Sequence, residues 1–426
     1  MNKLTLAEKL HQRKMKKPPF IYNILGVVWK ILFFKKYGIK VNYKKDPRLE
    51  KGPYIVISNH ASRLDYIFVG LPLLPKRYNF VVGYNEYFRS HLAPVFNILK
   101  PIPKKNFTAD IYTVKEVNRV LKNNGRIIIF PEGMSSISGA NQPVAIGTGK
   151  FIKHFKIPVY YSVIKGGYLT SPKYHLEDRY GKVEVTFDQL FTPEDIDKLS
   201  PEEIEDKMNL AIYHDDYEWN LKEKNIYKHK GNIAKNIHQL LYWCPKCNME
   251  FKMLGENNTI RCTNCGNGAT IDDTYQMHPF DETCVIPRTQ TVWFNQMRER
   301  VKEEIKQENF EMSFDVELGT LPKYKLLKNQ KTSEIVGKGK VIINKEGFNY
   351  IGTKNNEEFN FHLNPSEVPT YGMCTDVSRF YTFYKGEFYE FYPDIDLVEK
   401  VFLVTEEIHR LNGGKWQDFK FEINNK

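Results

Sequence analysis

Apolar runs alternate with helical patterns between residues 45 and 225. Apolar runs predict strands at YIVIS (54–58), RIIIF (126–130) and IPVYYSVI (157–164), and KVEVTF (182–187) is predicted to be another strand. Helical spacing of apolar residues predicts a helix near 108–123, and a second helical stretch is expected near 147–156. Ser200-Pro201-Glu202-Glu203 reads as a capping box with proline at the first helical position, which predicts a helix from about 201. Continuous apolar strands that alternate with helices are typical of a sheet covered on both faces. We therefore expect residues 45–225 to form an α/β domain with a largely parallel or mixed sheet.

A different pattern precedes this domain. Residues 20–34 read FIYNILGVVWKILFF, with lysines on both sides. As a helix this stretch is about 22 Å long, short of a hydrocarbon core of about 30 Å. We expect residues 1–44 to form a basic, amphipathic segment on an anionic membrane surface, which would make the protein peripheral or monotopic at the cytoplasmic face. A buried core helix is the alternative interpretation.

The charge is concentrated at the same end of the chain. The 426 residues carry a net charge of +11, and residues 1–50 hold 13 basic and three acidic side chains. A basic end on a nearly neutral body indicates an anionic partner surface. Nucleic acid is not expected, because the segment interleaves aliphatic residues instead of spaced stacking aromatics. A mean hydropathy of −0.50 and the lack of an 18-residue uncharged apolar run exclude a polytopic membrane protein.

Candidate chemistry lies just after two of the predicted strands, where ligands bind in open α/β sheets. His60 follows the first strand, and Asp65 comes five residues later. A carboxylate that accepts from one ring nitrogen leaves the other nitrogen free to act as a base. After the second strand comes Phe130-Pro131-Glu132-Gly133, where glycine permits close approach to the backbone. Either segment alone is weak evidence, since a polar histidine near a strand end is common.

Together these segments resemble the glycerolipid acyltransferases, the family of the lysophosphatidic acid acyltransferases. NHASRLD (59–65) matches the first family motif, FPEG (130–133) matches the start of the third, and IPVYYSVI is similar to the fourth. The resemblance covers roughly residues 20–220. It implies transfer of a fatty acyl group from an acyl thioester, acyl-CoA or acyl carrier protein, to the hydroxyl of a lysophospholipid such as 1-acylglycerol-3-phosphate.

The resemblance also assigns roles to residues. His60 would be the general base, and Asp65 would orient it and stabilise its imidazolium. Substrate contacts are expected at six further positions: Asn59, Arg63, Lys104, Lys105, Glu132 and Gly133. The alternative is a catalytically inactive, acyltransferase-like scaffold that binds lipid or protein.

Two departures from the family pattern leave the acceptor open. Met134-Ser135 stands where the third motif has threonine and arginine, and Lys104 stands where the second motif has arginine. Lysine is a point charge and cannot replace a bidentate guanidinium, although Arg63 could compensate. The acceptor is thus either a phosphomonoester or a lysolipid that lacks one. For Lys104 and Lys105 a solvated turn is the alternative.

Gly147-Thr148-Gly149-Lys150 hints at a phosphate-binding loop. It lacks the spacing G-x-x-x-x-G-K-[ST], so no nucleotide phosphate-loop site is expected. No G-x-S-x-G sequence occurs either, which gives a serine hydrolase little support.

Cysteine spacing predicts a second module. Two C-x2-C pairs are separated by fourteen residues: Cys244, Cys247, Cys262 and Cys265. This spacing is typical of a closed tetrahedral zinc site, so we expect a structural zinc in a ribbon at 240–280. Two disulfides are the less favoured alternative.

The remaining residues predict two more segments. Residues 281–310 have a helical pattern, as a linker that is either a spacer or packed on the catalytic domain. Short strands followed by a helix from about 395 predict a β-rich module at 311–426. That order of elements resembles a pleckstrin-homology or GRAM-type module.

Overall fold

The computed structural model describes residues 3–329, 331–394 and 396–414. Its core has two parts. One part joins one face of the first sheet to the cysteine-containing region and the carboxyl-terminal region. The other part fills the opposite face of that sheet. The predicted amino-terminal segment and β-rich module each include a few residues outside the described ranges.

The first sheet has seven strands, in the spatial order β1-β7-β6-β2-β5-β3-β4. The strands are β1 (Ile39–Tyr43), β2 (Tyr54–Ser58), β3 (Asn79–Gly83), β4 (Ile102–Lys104), β5 (Arg126–Ile129), β6 (Val159–Lys165) and β7 (Val183–Phe191). Only β6 and β7 pair antiparallel, so the sheet is mixed, as predicted. All four predicted strands are present, whereas β1, β3 and β4 were not predicted.

Ten helices belong to this part of the chain. They are α1 (Leu6–Gln12), α2 (Ile21–Lys36), α3 (Asp65–Gly70), α4 (Ala93–Leu99), α5 (Ile111–Lys122), α6 (Thr148–Phe155), α7 (Gly167–Thr170), α8 (Pro193–Lys198), α9 (Pro201–Ile212) and α10 (Asp216–Glu223). Helix α9 begins with the capping box expected from its sequence. The Ser200 hydroxyl accepts from the Glu203 N–H at 3.1 Å, and the Ser200 N–H donates to the Glu203 carboxylate at 2.7 Å.

Helix α2 packs on the protein with one side and exposes apolar residues on the other. Gly26 is buried against Leu74, while Ile31 is 69% exposed. The exposed apolar residues lie along one face, which we call the α2 face: Phe20, Ile24, Val27, Val28, Ile31 and Leu32. The helix is therefore neither a core helix nor an ordinary surface helix. In the described ranges, no helix has both the length and the apolarity needed to cross a bilayer.

The cysteine-containing region forms a small antiparallel sheet, in the order β11-β10-β9-β8. Its strands are β8 (Met253–Glu256), β9 (Thr259–Cys262), β10 (Gly268–Ile271) and β11 (Met277–Pro279). Helix α11 (Gln290–Lys306) follows and packs in the interior. Its Thr291 hydroxyl donates to the Ser138 carbonyl at 3.0 Å, and its Trp293 indole donates to the Trp243 carbonyl at 2.9 Å. Helix α11 therefore contacts the first domain and is not a free spacer.

The carboxyl-terminal region is β-rich, as predicted. Seven antiparallel strands are ordered β15-β14-β13-β12-β18-β17-β16. They are β12 (Glu311–Thr320), β13 (Glu334–Asn344), β14 (Gly347–Lys354), β15 (Glu357–Leu363), β16 (Gly372–Met373), β17 (Phe380–Tyr384) and β18 (Glu387–Pro393), followed by α12 (Val398–Leu411). Helix α12 is buried from residue 398 to residue 409. Its buried Glu406 and Glu407 each pair with Arg298 of α11 at 2.8 Å, which compensates their burial.

Candidate active site and metal centre

The two predicted catalytic motifs meet at one edge of the first sheet. Strands β2 and β5 are parallel neighbours, with Val56 paired to Ile128 and Ile57 to Ile129. Their carboxyl ends therefore lie side by side, and the chain after each strand turns into the same corner. The N–H of Ser136 donates to the His60 carbonyl at 2.7 Å, which joins the two motifs directly.

His60 and Asp65 form a hydrogen-bonded pair in this corner. The Nδ1 atom of His60 lies 2.8 Å from a carboxylate oxygen of Asp65, the first residue of α3. The N–H of Ser62 donates to the same carboxylate at 3.0 Å, so a tight turn accounts for the five-residue spacing. Burial raises the pKa of Asp65, and the hydrogen bond from His60 opposes this shift. The carboxylate is thus fixed by backbone as well as by imidazole.

The other side of the His60 ring is open. The ring stacks on Phe130, with 4.6 Å between ring centroids, and its side chain is 24% exposed. Among the described residues, no group forms a hydrogen bond with Nε2. This geometry presents a ring nitrogen to an incoming hydroxyl and holds the tautomer through Nδ1.

Glu132 supports the backbone at His60. Its side chain is fully buried, and its two oxygens accept from the N–H groups of His60 and Gln142, both at 2.6 Å. Burial raises the pKa of Glu132 well above its usual range. Because both oxygens already bind main-chain donors, the carboxylate positions the loop. Its predicted contact with substrate stays a prediction.

Asn59 also binds the backbone of a neighbouring strand. Its amide donates to the Ile164 carbonyl at 2.9 Å, and its carbonyl oxygen accepts from the Ile164 N–H at 2.7 Å. Gly133 has φ +82°, and its Cα lies against the Phe107 ring, so a side chain there would be strained. Both residues shape the corner, and their predicted contacts with substrate are untested.

The predicted cation Arg63 already has protein partners. Its guanidinium donates to the Ser171 hydroxyl at 2.9 Å and to the Leu176 carbonyl at 2.6 Å, and it forms an ion pair with Asp178. A carboxylate that neutralises Arg63 leaves little free charge for a substrate. Its compensating role, expected from the sequence, stays a prediction.

Lys104 and Lys105 are engaged as well. Burial lowers the pKa of Lys104, and its ammonium donates to the Lys105 carbonyl at 3.4 Å. The ammonium of Lys105 donates at 2.7 Å to the carbonyl of Gly386, in the turn between β17 and β18. The carboxyl-terminal region therefore contacts Lys105, one of the residues that were expected to bind the acceptor.

One basic residue beside the third motif had no sequence signal. Lys173 follows α7, and its ammonium lies 3.1 Å from the Ser135 hydroxyl and 3.3 Å from the Ser135 carbonyl. The side chain is 3% exposed, and burial lowers the pKa of Lys173 to about 8. Neither spacing nor motif could have identified it, because the fold brings it to residue 135 across 38 positions.

The four predicted metal ligands converge. Their sulfur atoms all lie within 4.8 Å of one another, and the pairs Cys244–Cys265 and Cys247–Cys262 are 3.7 Å apart. A tetrahedron with metal–sulfur bonds of about 2.3 Å has edges of about 3.8 Å, so the cluster fits a metal ion. The side-chain amides of Asn264 and Asn267 each donate to a cluster sulfur at 3.6 Å. The cluster can therefore hold a metal through four sulfurs.

Part of the chain is similar to known acyltransferases. Residues 40–165 match the family model described as Acyltransferase. This match supports an acyltransferase-like α/β domain, the coarser part of the prediction. Among curated proteins, a 1-acyl-sn-glycerol-3-phosphate acyltransferase from Cocos nucifera is 31% identical over 167 residues, which cover 38% of this chain and 53% of that protein.

The chain spans about half the length of this curated relative. Among solved structures, the 1-acyl-sn-glycerophosphate (LPA) acyltransferase PlsC from Thermotoga maritima matches with 20% identity and a TM-score of 0.37. That match covers 44% of this chain and 76% of the PlsC chain. The matched family residues 40–165 contain His60, Asp65 and the FPEG motif.

Proposed function

We propose that this protein transfers a fatty acyl group from an acyl thioester to the hydroxyl of a lysophospholipid, at the surface of an anionic membrane. The observation that carries the proposal is the His60–Asp65 pair, with Nδ1 held at 2.8 Å and Nε2 open. Acyl-CoA or acyl carrier protein would be the donor, and 1-acylglycerol-3-phosphate is the acceptor that the curated relative's name suggests.

The chemistry requires no protein nucleophile. Nε2 of His60 takes the proton from the acceptor hydroxyl as that oxygen attacks the thioester carbonyl. The carbon–oxygen ester bond forms, the carbon–sulfur bond breaks, and the leaving thiolate takes the proton from the imidazolium. Asp65 stabilises the imidazolium while it exists, because its buried carboxylate stays bonded to Nδ1.

The α2 face supports a membrane-bound position. Its exposed apolar side chains would lie among acyl chains, and Lys35 and Lys36 at the end of α2 would meet anionic headgroups. An apolar cleft lies between α2, α3 and α4, and it is lined by Trp29, Tyr66 and Ile67, among other residues. The cleft lies beside the helix that begins with Asp65, so an acyl chain could reach the corner from the bilayer.

The other two modules would have supporting roles. The cluster would hold a structural zinc, since four thiolates leave no open position for catalysis. The pleckstrin-homology or GRAM-type resemblance rests on strands followed by a helix. The carboxyl-terminal region has this order, with seven antiparallel strands and then α12. Such a module would bind a lipid or a protein while it packs on the catalytic domain.

A thiol-release assay tests the proposal. Purified full-length protein is given acyl-CoA or acyl carrier protein thioester, anionic vesicles and a panel of lysolipids. We expect thiol release only with an acceptor, and a loss of roughly 10³-fold or more in His60→Ala. No release with any donor and acceptor would contradict the proposal and favour a scaffold.

The chain offers a matched control for this variant. His278 also pairs with a carboxylate, that of Asp272 at 2.8 Å, but it lies exposed on β11. His278→Ala should therefore keep wild-type turnover. If both histidine variants lose activity equally, the loss does not come from the His60 corner.

A further inference from the structure

The third motif lacks the arginine of the family pattern, yet a cation lies beside it. Ser135 occupies the arginine position, and both its hydroxyl and its carbonyl accept from the Lys173 ammonium. An ammonium has three N–H donors, so one remains free. Because the hydroxyl of Ser135 accepts from Lys173, its own hydrogen is free to donate to an anion.

In the described part of the chain, the Lys173 ammonium has only neutral hydrogen-bond partners. Among the described residues, no carboxylate lies within the 4.0 Å of an ion pair with its ammonium. The carboxylates of Glu132, Asp376 and Glu399 attract it only from farther away, and burial outweighs that attraction. A desolvated ammonium that binds only neutral oxygens is costly unless an anion joins it.

The surrounding backbone suits an anion. In the described part of the chain, the N–H groups of Met134 and Ser135 donate to no acceptor. They follow Gly133, whose φ of +82° turns the loop after β5. Successive free N–H groups at such a turn form a small concave donor site. This loop also carries Ser136, which is bonded to the His60 carbonyl, so the donors lie next to the catalytic corner.

We propose that Lys173, together with Ser135 and the free amides of the third-motif loop, binds the phosphomonoester of the acceptor. This inference rests on the proposed function and adds the class of acceptor to it. The lysine supplies from a different segment the charge that Ser135 lacks. Ser135 at the arginine position then means that the cation comes from Lys173 instead. This favours an acceptor that bears a phosphate over a neutral acceptor.

Binding without the acyl donor tests the site apart from catalysis. The probes are 1-acylglycerol 3-phosphate, 1-acylglycerol and inorganic phosphate. Lys173→Met keeps the length of the side chain and removes its charge. We expect its affinity for the phosphate lipid to fall roughly tenfold to a hundredfold relative to 1-acylglycerol. If inorganic phosphate displaces the phosphate lipid, the site recognises phosphate itself. If it does not, the site recognises the whole headgroup.

Two further variants keep the test decisive if Lys173→Met folds poorly. Ser135→Asp places a carboxylate at the ammonium and should abolish phosphate binding without removing Lys173. Ser135→Arg in the Lys173→Met background restores the family's cation and should recover phosphate binding. Lys182→Met removes an ion-paired lysine elsewhere in the domain and serves as the control for charge.

The outcomes separate this inference from the proposed function. The role of Lys173 would be overturned if a variant lost equal affinity for the phosphate lipid and for 1-acylglycerol. It would also be overturned if Lys173→Met and Ser135→Asp both kept the wild-type affinity for the phosphate lipid. Acyl transfer could persist in that case. Phosphate binding that depends on Lys173, in a protein that releases no thiol with any acceptor, would support this site and contradict the acyltransferase proposal.

Discussion

The His60 corner and the cysteine cluster are both built from short motifs, but they are held together differently. Asp65 and Glu132 are fixed by N–H groups of the chain itself, at 2.6–3.0 Å. In the cluster, sulfur atoms face one another at 3.7 Å, and their donors are the side-chain amides of Asn264 and Asn267 together with backbone N–H groups of the two cysteine loops. Thiolates at that distance repel each other unless a cation lies between them. The His60 corner is thus preorganised by the protein, whereas four thiolates in the cluster would need a bound cation between them.

Metal removal should have the largest effect, because it acts on the region that we propose to be held by a structural zinc. Structural zinc sites have apparent binding free energies of about 10 kcal/mol or more. We expect Cys262→Ser, or strong chelation, to remove about one zinc per chain and to lower the thermal unfolding midpoint. Elemental analysis and a thermal scan measure both effects.

Cys284→Ser is the matched control, since Cys284 lies outside the cluster. The prediction is contradicted if wild-type protein contains no metal after purification and unfolds at the same temperature with and without zinc. The cluster would then be as independent of an ion as the His60 corner.

Substitution of Asp65 should come next in size. Asp65→Asn keeps the shape of the side chain but replaces the carboxylate that holds Nδ1 of His60. We expect kcat to fall roughly 10²-fold to 10⁴-fold, because the preferred tautomer and the stabilisation of the imidazolium are both lost. Steady-state kinetics measure the loss, and Asp272→Asn on the exposed pair is its control. A KM change with an unaltered kcat would argue against an orienting role.

Glu132→Gln tests the preorganised backbone itself. The amide can still accept from one N–H, but its NH2 group then faces the other donor. We expect a destabilisation of about 1–3 kcal/mol together with reduced turnover, since the His60 backbone loses its fixed position. Urea unfolding gives the free-energy change. Glu205→Gln provides a comparison, because the Glu205 carboxylate accepts from the N–H groups of Gly147 and Gly149 but lies away from His60.

The smallest expected effect concerns the membrane. Ile31→Lys and Leu32→Lys replace exposed apolar side chains on the α2 face. Each should weaken binding to anionic vesicles by about 1–2 kcal/mol and leave the unfolding midpoint unchanged. Vesicle co-sedimentation measures this binding, and Val285→Lys, at an exposed apolar position near the cluster, is the control. Wild-type protein that stays in the supernatant would contradict a membrane role for this face.

The spacing of residues along the chain predicted those structural features that are determined by residues close together in the sequence. Strands β2, β5 and β6 follow from apolar runs, and the cysteine cluster follows from two identically spaced pairs. His60 and Asp65 are close because a single turn joins them. In each case the information lies within a few residues of the feature that it determines.

Features that depend on distant pairing were not predictable in this way. The burial of α12 requires Arg298, about 110 positions earlier, to compensate Glu406 and Glu407. The position of Lys173 depends on how α7 packs after β6, and its side chain had no pattern to distinguish it. The polar partners of Lys105 and Arg63 likewise come from remote loops.

Helix α11 links the three regions through one buried surface. Its Thr291, Trp293 and Arg298 bind, in turn, the first domain, the cysteine region and α12. A truncated fragment cut on either side of this helix would expose a stripe that includes Met297 and Val301 to water. Recombinant expression of the catalytic part alone should therefore yield aggregating material, and protease digestion of the whole protein should spare the junctions around α11.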